Sequence, residues 1–377
     1  MMLRAVSSTS TVAPMQRLHF LGRRAIVLLA VSLVGGAVTV GLRAAAADHV
    51  AVFVVASITL AGLAGLVGEA TDQLGSRLGP ATTGVLQSAL GNLPELFISL
   101  FALRAGLVVL VQTSLIGSIL GNSLLVLGLA FVAGGMRHGR MTFDAGPVRT
   151  IAISLVLAVA ALVIPTVATS PGGPDAGHAT EISVFVSLVL LVVFAASIPY
   201  SLGGGPGASM PEAAVEEGRR WPMRAAVVVL ALAGVGAAFV SDWFVEALRP
   251  AMATLGLSEA FVGLVVVAIA GNAVENVAGV QAALRGRIDL GISLIQNSSL
   301  QVAIALTPVL VIVSLFLAPA AMTLVLAPTL LVAVALAALL GALVVFDGEA
   351  TWLEGLMLVG LYLIIAASVW YGPPVAG

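Results

Sequence analysis

The chain is a succession of long apolar stretches separated by short polar breaks. A helix needs about 20 apolar residues to cross the ~30 Å hydrocarbon core of a bilayer. Because backbone polar groups inside lipid must be satisfied within the segment, stretches this continuous form helices and not barrel strands. Hydrophobic residues make up 60% of the chain and charged residues only 9%, which excludes an ordinary soluble domain. The sequence therefore predicts an all-α polytopic membrane protein.

The breaks in hydropathy predict about eleven transmembrane helices. They run over 25–43, 50–70, 80–103, 107–133, 148–168, 180–202, 223–245, 256–284, 288–316, 321–345 and 353–371. The long polar interruption at 203–222 is rich in Gly and Pro and then charged, which is typical of a linker. We therefore divide the chain into an N-terminal segment with the first helix (1–49), a five-helix unit (50–202), a cytoplasmic linker (203–222), a second five-helix unit (223–371) and a tail (372–377).

The placement of the basic residues, all of them arginine, predicts the orientation. With the N-terminus in the cytoplasm, all of the 16 arginines except Arg43, Arg104 and Arg249 fall on the cytoplasmic side, as the positive-inside rule requires. The composition favours a bacterial plasma membrane. Arg23, Arg24 and the apolar run that follows also resemble a cleavable secretory signal. Because that run exceeds the ~7–15 residues of a signal core, we predict a retained helix.

Two predicted spans contain the same short motif around an isolated carboxylate. Glu95 lies in GNLPELFIS (91–99) and Glu275 in GNAVENVAG (271–279), and no other ionisable residue lies within eight positions of either. A carboxylate at membrane depth costs about 3 kcal/mol on insertion scales, so such residues usually line an ion or substrate pathway. The shared Gly-Asn-x-x-Glu frame predicts a duplicated ion site, with Asn92 and Asn272 on the same helical face as the glutamates.

The two motifs are 180 positions apart, and the similarity extends beyond them. At this offset Gly106 matches Gly286, Leu110 matches Leu290 and Ser118 matches Ser298. Since the motif-bearing spans are separated by an odd number of crossings, they are predicted to cross the membrane in opposite directions. Inverted repeats of this kind place the substrate site of secondary transporters near the bilayer midplane, between the two halves.

The polar residues around the motifs suit a hard cation. Gly91, Gly271 and Pro94 weaken the helix and can free carbonyl oxygens in front of each glutamate. Ca²⁺ binds about 6–8 oxygens, mostly from carboxylates and carbonyls. Without cysteine and with no histidine inside a span, a soft transition-metal site is disfavoured. The alternative is that Ser, Asn and Gln only hydrogen-bond between helices, which we favour for Ser114. The candidate ion ligands are Glu95, Glu275, Asn92, Asn272, Ser118, Asn122, Ser298 and Gln301.

Over residues 50–371 the chain resembles the Ca²⁺/H⁺ antiporter branch of the cation/calcium exchanger superfamily. In the first half the similarity is carried by GEATDQLG (68–75), GNLPELFISLFALRAGL (91–107) and GSILGNSLLVLGLAFVAGG (117–135). In the second it is carried by FVGLVVVAIAGNAVENVAG (261–279), NSSLQVAIALTPVLV (297–311) and DGEATWLEG (347–355). The resemblance implies that Glu95 and Glu275 exchange protons for Ca²⁺, and that the first helix is a mobile gate against a core built by the repeats.

Four positions depart from the pattern of that family. Asn276 replaces a usual His, Ala268 a common Pro, Asn297 a common Gly and Gly121 a usual Ser. These differences leave the architecture unchanged, but they leave the choice of cation and the proton coupling open.

The expected function is therefore exchange of Ca²⁺ for H⁺ by alternating access, with Ca²⁺ as the transported substrate and no resident cofactor. Glu69, near the predicted end of its helix, is expected at the mouth or gate. Na⁺/Ca²⁺ or Na⁺/H⁺ exchange on the same scaffold is the first alternative, and an intramembrane enzyme with paired acidic residues is the distant one. The expected partners are these ions and the lipid bilayer. The net charge of −2 gives no argument for a nucleic-acid partner, and the oligomeric state stays open.

Overall fold

The computed structural model describes residues 21–78, 90–202 and 220–370. These residues form 12 helices and one pair of two-residue strands, β1 (Met141–Thr142) and β2 (Glu349–Ala350). The helices are α1 (Arg23–Ala44), α2 (His49–Leu78), α3 (Leu93–Arg104), α4 (Val108–His138), α5 (Ala145–Ala168), α6 (Ala179–Leu202), α7 (Met223–Leu255), α8 (Glu259–Gly271), α9 (Ala273–Leu284), α10 (Ile288–Leu317), α11 (Pro328–Leu343) and α12 (Trp352–Trp370).

Most of these helices are long and apolar enough to cross a membrane. Within the described residues, 8 helices meet that requirement alone, and α8 with α9 would form a ninth span that is bent by 64°. Helix α11 is apolar but has only 16 residues, and the predicted span 80–103 is described only from residue 90. The all-helical membrane fold is confirmed, whereas the count of eleven spans stays a prediction.

Two helices extend further than hydropathy predicts. Helix α2 continues to Leu78 although its predicted span stops at 70, and α7 continues to Leu255 although its predicted span stops at 245. The expectation that Glu69 stands near the end of its helix is therefore wrong, because more than two helical turns follow it. The span predicted from hydropathy ends where the residues become polar. The helix itself continues, because polar side chains such as Gln73 form hydrogen bonds with neighbouring segments.

The helix bounds repeat at the same offset as the motifs. Helices α3 and α9 begin 180 positions apart, at Leu93 and Ala273, and so do α4 and α10, at Val108 and Ile288. Both α4 and α10 contain a π-helical segment near their middle, Gly121–Val126 and Val302–Leu306, and α8 contains another. Such segments are rare and occur frequently at functional sites. The two halves thus share their local architecture around the motifs, while their opposite direction in the membrane stays a prediction.

Close helix packing brings the two halves together. Helix α2 lies along α7, and the first part of α4 packs against α8, which leads into the second motif. At that contact Gly117 allows the backbones to touch, since a Cβ there would lie only 2.6 Å from Leu264 Cα. Small residues serve helix association in membranes because lipid supplies no hydrophobic drive between helices.

Several loop contacts join segments that were predicted on the same side of the membrane. On the predicted cytoplasmic side, His138 Nε2 lies 2.9 Å from the Leu284 carbonyl, and β1 pairs with β2. On the opposite side, Arg249 donates to the Ala105 carbonyl (3.1 Å). These contacts agree with the predicted order of crossings, while the choice of the cytoplasmic face stays a prediction.

A small second core lies at the predicted cytoplasmic ends of α1, α2 and α7. The Trp221 side chain is 1% exposed and packs with Leu21, Ala25, Ala70, Leu74 and Ala226. Its backbone N–H donates to Gln73 Oε1 (3.0 Å), and its carbonyl accepts from Arg77. Trp221, which the sequence assigns to the linker, therefore packs as part of the helical unit. Residues 203–219 of the predicted linker lie outside the described residues.

Candidate functional site

Each motif glutamate lies in the first turn of a short helix that begins after an asparagine. Asn92 and Asn272 are the N-cap residues of α3 and α9, with φ and ψ of −91° and 15° and of −105° and 19°. The sequence placed both asparagines inside a helix with their glutamates. In the structure the helix is interrupted at these residues, and neither amide side chain caps the helix that follows, so both remain available for other contacts.

Glu95 is fully buried and lies against the second motif. Ser118 Oγ donates to Glu95 Oε1 (2.6 Å), and Asn272 Nδ2 lies 3.5 Å from Oε2. A Cβ on Gly271 would lie 3.3 Å from Glu95 Cβ, so the glycine of the second motif leaves room for the glutamate of the first. Glu95 of the first motif thus lies against the Gly-Asn pair of the second, while its short hydrogen bond comes from Ser118 of its own half.

The hydrogen bonds continue from Glu95 across the interface between the halves. Asn272 Nδ2 donates to Ser118 Oγ (2.9 Å), and Ser298 Oγ donates to Asn272 Oδ1 (3.3 Å). Asn122 Nδ2 donates to Ser298 Oγ (3.2 Å) from the π-helical segment of α4. All five side chains are buried. This connected set, called the polar network below, contains five of the eight predicted site residues.

Glu275 completes the pair of carboxylates but has different surroundings. Its charge acts on Glu95, and the charges of Asp72 and Arg24 act on Glu275 in turn. Glu275 is partly exposed, whereas Glu95 is fully buried. Two glutamates that are equivalent in sequence therefore differ in the structure: Glu95 is enclosed and hydrogen-bonded, whereas Glu275 is less completely enclosed and is acted on by the charges of Asp72 and Arg24.

The two other predicted site residues lie apart from the polar network. Asn92 and Gln301 are both buried, but within the described residues no hydrogen bond joins either side chain to the network. Ser114, which we expected to bind a neighbouring helix, donates to the Val111 carbonyl of its own helix (3.0 Å). Serine is common at helix interfaces, but the residue type alone does not tell whether its hydroxyl bonds to a neighbouring helix or to its own.

Some buried polar atoms near the site were not predicted from the sequence. Within the described residues, Asn276 Oδ1, Gln296 Oε1 and Ser123 Oγ have no hydrogen-bond partner. Gln296 and Ser123 lie close to each other, since a Cβ on Gly341 would contact both. Buried polar atoms without a partner are few in native proteins. Gln296 could have been found from the sequence, because it is a Gln inside an apolar span, two positions before the predicted ligand Ser298.

The groups that could bind a cation at this site are of several chemical types: carboxylates, amides, hydroxyls and backbone carbonyls. In the part of the chain that the structure describes, no three His, Cys, Asp or Glu side chains gather closely enough to hold a metal ion. A cation at the two glutamates would therefore depend on amide, hydroxyl and backbone oxygens for its remaining ligands. Ca²⁺ and Na⁺ accept such oxygens, whereas soft metals prefer nitrogen and sulfur.

A cavity of about 390 Å³ lies between α3 and α7, at the ends of these helices that are predicted to face the outside of the cell. Its lining includes Asp242, Glu246, Arg104 and Arg249, so it carries both signs of charge. Neither Glu95 nor Glu275 lines this cavity.

The chain is similar to known proteins over most of its length. The family model described as sodium/calcium exchanger protein matches residues 49–203 and 225–371. The Ca²⁺/H⁺ antiporter ChaA of Bacillus subtilis is 36% identical over 319 residues, which cover 83% of this chain and 90% of that protein. The Ca²⁺/H⁺ antiporter of Aphanothece halophytica is 32% identical over 344 residues, which cover 87% of this chain and 92% of that protein.

Solved structures agree with these matches. The structure of native YfkE superposes with a TM-score of 0.79 at 31% identity, covering 91% of this chain and 99% of that one. The H⁺/Ca²⁺ exchanger CAX superposes with a TM-score of 0.71 at 17% identity, a likeness that concerns the fold alone. The family match covers both predicted five-helix units and begins after α1. The resemblance stated from the motifs is confirmed, and the chain belongs to the sodium/calcium exchanger protein family.

Proposed function

We propose that this chain is a secondary antiporter, and not an enzyme, that exchanges Ca²⁺ for H⁺ at a site containing Glu95 and Glu275. The observation that carries the proposal is the buried contact of Glu95 with Ser118 and Asn272, which joins the two motifs. Relatives named Ca²⁺/H⁺ antiporters, at 32–36% identity over most of the chain, support this choice of ions. Ca²⁺ and H⁺ are cargo, and we assign no resident cofactor.

The hydrogen bonds at Glu95 indicate what cation binding requires. Ser118 points a hydroxyl hydrogen at the carboxylate, and Asn272 turns its NH₂ group toward it. A cation needs oxygens in those directions. Ca²⁺ loading therefore requires the hydroxyl to turn and the amide to present Oδ1, which at present accepts from Ser298. The polar network can supply ligand oxygens by such local rotations.

Proton coupling follows from competition for the same oxygens. A protonated carboxyl group has no negative charge to attract Ca²⁺, and its added hydrogen blocks an oxygen that the cation would use. With both glutamates ionised, the site offers two negative charges to one divalent cation. With both protonated, the site is neutral and can reorient without the ion.

Alternating access is supported by the different exposure of the two glutamates. Glu275 is partly exposed near Arg24 and Asp72, whose helix ends are predicted to be cytoplasmic. The cavity at the outer end does not reach either glutamate. We therefore propose that the site alternates between the two faces, in a protein of the bacterial plasma membrane.

Na⁺ coupling is the second candidate because the matching family is described by sodium/calcium exchange. Solved structures of the sodium–calcium exchanger NCX_Mj share the fold with a TM-score of 0.55 at 17% identity. That likeness concerns the fold alone. We do not propose an intramembrane enzyme. Its catalytic carboxylates would not require the amide and hydroxyl side chains of the polar network, and the matching family is described as an exchanger.

Uptake of ⁴⁵Ca²⁺ and ²²Na⁺ into proteoliposomes under an imposed pH gradient separates these functions. For a Ca²⁺/H⁺ antiporter we expect ⁴⁵Ca²⁺ uptake that depends on the pH gradient and persists without Na⁺. Uptake that a Na⁺ gradient drives and a pH gradient does not would establish the Na⁺-coupled alternative. Absence of ion movement in active, correctly reconstituted protein would contradict both.

A further inference from the structure

Arg24, in the first turn of α1, lies beside an acidic residue of α2, the helix that packs against the second motif. Arg24 Nε is 4.0 Å from Glu69 Oε2, and the two side chains are 42% and 20% exposed. The charges of Arg24 and Asp72 both act on Glu275. Helix α2, which carries Glu69 and Asp72, packs against α8 and α9, so the permanently positive guanidinium of Arg24 stands on the acidic face of α2 near the second motif. None of the sequence patterns around the two motifs indicates that Arg24 lies beside Glu69.

Helix α1 packs closely on α2 and so places Arg24 beside Glu69. The two helices pack closely because of glycines on α2: a Cβ on Gly62 would lie 3.0 Å from Ser32 Oγ, and one on Gly65 would lie 2.9 Å from Leu28 Cδ1. Next to Arg24, Ala25 is buried in the small core around Trp221. Arg24 is therefore placed on the side of α2, and α2 itself packs against α8 and α9, which carry the second motif.

The charge of Arg24 opposes cation entry. Glu69, Asp72 and Glu275 together attract cations, and the guanidinium cancels part of that attraction because it cannot lose its proton. An incoming ion competes with this charge for the same carboxylates. When a divalent ion replaces the guanidinium beside these carboxylates, the local positive charge rises by one unit. When Na⁺ replaces it, the local charge does not change.

We propose that Arg24 is a tethered counter-cation of the ion pathway, which lowers the apparent affinity of the predicted cytoplasmic face for Ca²⁺ and disfavours monovalent ions there. Arg24 acts on Glu275 by its charge and is not a ligand of the transported ion. The inference rests on the proposed function, because it concerns the same site.

The absence of cysteine from the chain permits a direct test of this charge. Arg24→Cys would be expressed, and ⁴⁵Ca²⁺ uptake measured in everted membrane vesicles, which offer the cytoplasmic face. We expect the KM for Ca²⁺ to fall by about three- to tenfold, the effect of removing one charge near a divalent ion in a wet, screened site. The maximal rate should stay similar, and Na⁺ should inhibit uptake more strongly.

Chemical modification of the same folded protein then separates charge from structure. Trimethylammonium-ethyl methanethiosulfonate adds a positive charge to the introduced cysteine and should return the KM to that of the parent chain. Methyl methanethiosulfonate adds a neutral group and should leave the KM low. The matched control is Arg23→Cys, because Arg23 is exposed on the same helical turn and joins no ion pair within the described residues.

The outcomes distinguish this inference from the proposed function. An unchanged KM in Arg24→Cys, an equal fall in Arg23→Cys, or equal effects of the two reagents would overturn the role of Arg24. If Arg24→Cys does not fold, Arg24→Lys and Arg24→Gln decide in the same assay: Lys should keep the parent KM and Gln should lower it. Absence of Ca²⁺ uptake by the parent chain would instead contradict the proposed function, and this inference with it.

Discussion

The backbone of Gly271 lies against the side chain of Glu95. A Cβ at position 271 would be 3.3 Å from Glu95 Cβ and 3.6 Å from its Cγ. The glycine of the second motif thus makes space for the glutamate of the first, and the shared Gly-Asn-x-x-Glu frame has a packing reason as well as a chemical one.

We expect Gly271→Ala to reduce the maximal rate of ⁴⁵Ca²⁺ uptake by about tenfold or more. The added methyl group must displace Glu95, and overpacking of this kind costs about 1–3 kcal/mol. The control is Gly234→Ala on α7, where a Cβ would meet open space. Equal activity of the two purified variants would show that the position of Glu95 tolerates the shift.

Glu95→Gln and Glu275→Gln should each abolish exchange while the protein still inserts and folds. Glutamine keeps the size of the side chain and removes the charge that attracts Ca²⁺. Glu246→Gln is a suitable control, since Glu246 lines the outer cavity and pairs with Arg43 away from the polar network. Near-normal uptake by either site variant, in protein that elutes as the parent does, would contradict a site that needs both carboxylates.

The apparent affinity for Ca²⁺ should weaken steadily as the pH falls on the side where Ca²⁺ binds. H⁺ and Ca²⁺ compete for the oxygens of Glu95 and Glu275, so more Ca²⁺ is needed at lower pH. Initial rates of uptake against Ca²⁺ concentration, measured between pH 6 and 8.5, check this expectation. An affinity that is flat with pH but shifts with Na⁺ would favour the Na⁺-coupled alternative.

Asn276→His should make uptake fall more steeply with acidification and change it little at alkaline pH. Asn276 follows Glu275 directly, and its buried Oδ1 has no hydrogen-bond partner within the described residues. A histidine there can become cationic near pH 6.5 and repel the ion, whereas an amide cannot titrate. Asn276→Gln is the neutral control. A pH profile of Asn276→His that overlays that of the parent would assign this position to packing alone.

Trp221→Ala should lower the apparent Tm of the detergent-purified protein clearly. The side chain is 1% exposed, and removal of a buried aromatic side chain costs about 3–5 kcal/mol. Trp352→Ala is matched in chemistry, but Trp352 is 51% exposed and its loss should matter little. Equal shifts in thermal unfolding, followed by size-exclusion chromatography, would show that the small core around Trp221 adds no stability.

Much of the architecture could be predicted because apolar length and a repeated motif are both local patterns. The offset of 180 positions, found from Glu95 and Glu275, also relates the starts of α3 and α9. The residues of the polar network could be named since they are polar side chains in spans that must otherwise be apolar.

The rest depends on tertiary contacts that hydropathy does not encode. Arg24 lies beside Glu69, and its charge acts on Glu275, only because α1 packs on α2; these residues are far apart in sequence. Trp221 lies in a polar, Gly/Pro-rich neighbourhood that is typical of a linker, yet a small core at the helix ends buries it. The interruption of the helix at Asn272 likewise required the structure, because Gly and Asn weaken a helix without determining where it ends.

The pairing of β1 with β2 has a consequence for the biogenesis of the chain. Met141 pairs with Ala350, so a loop of the first half must wait for a loop that the ribosome produces roughly 200 residues later. The pairing can form only after nearly the whole chain has been synthesised and the last loop has reached the same side of the membrane. A cross-link between these strands would therefore report completed assembly and distinguish it from insertion of the separate helices.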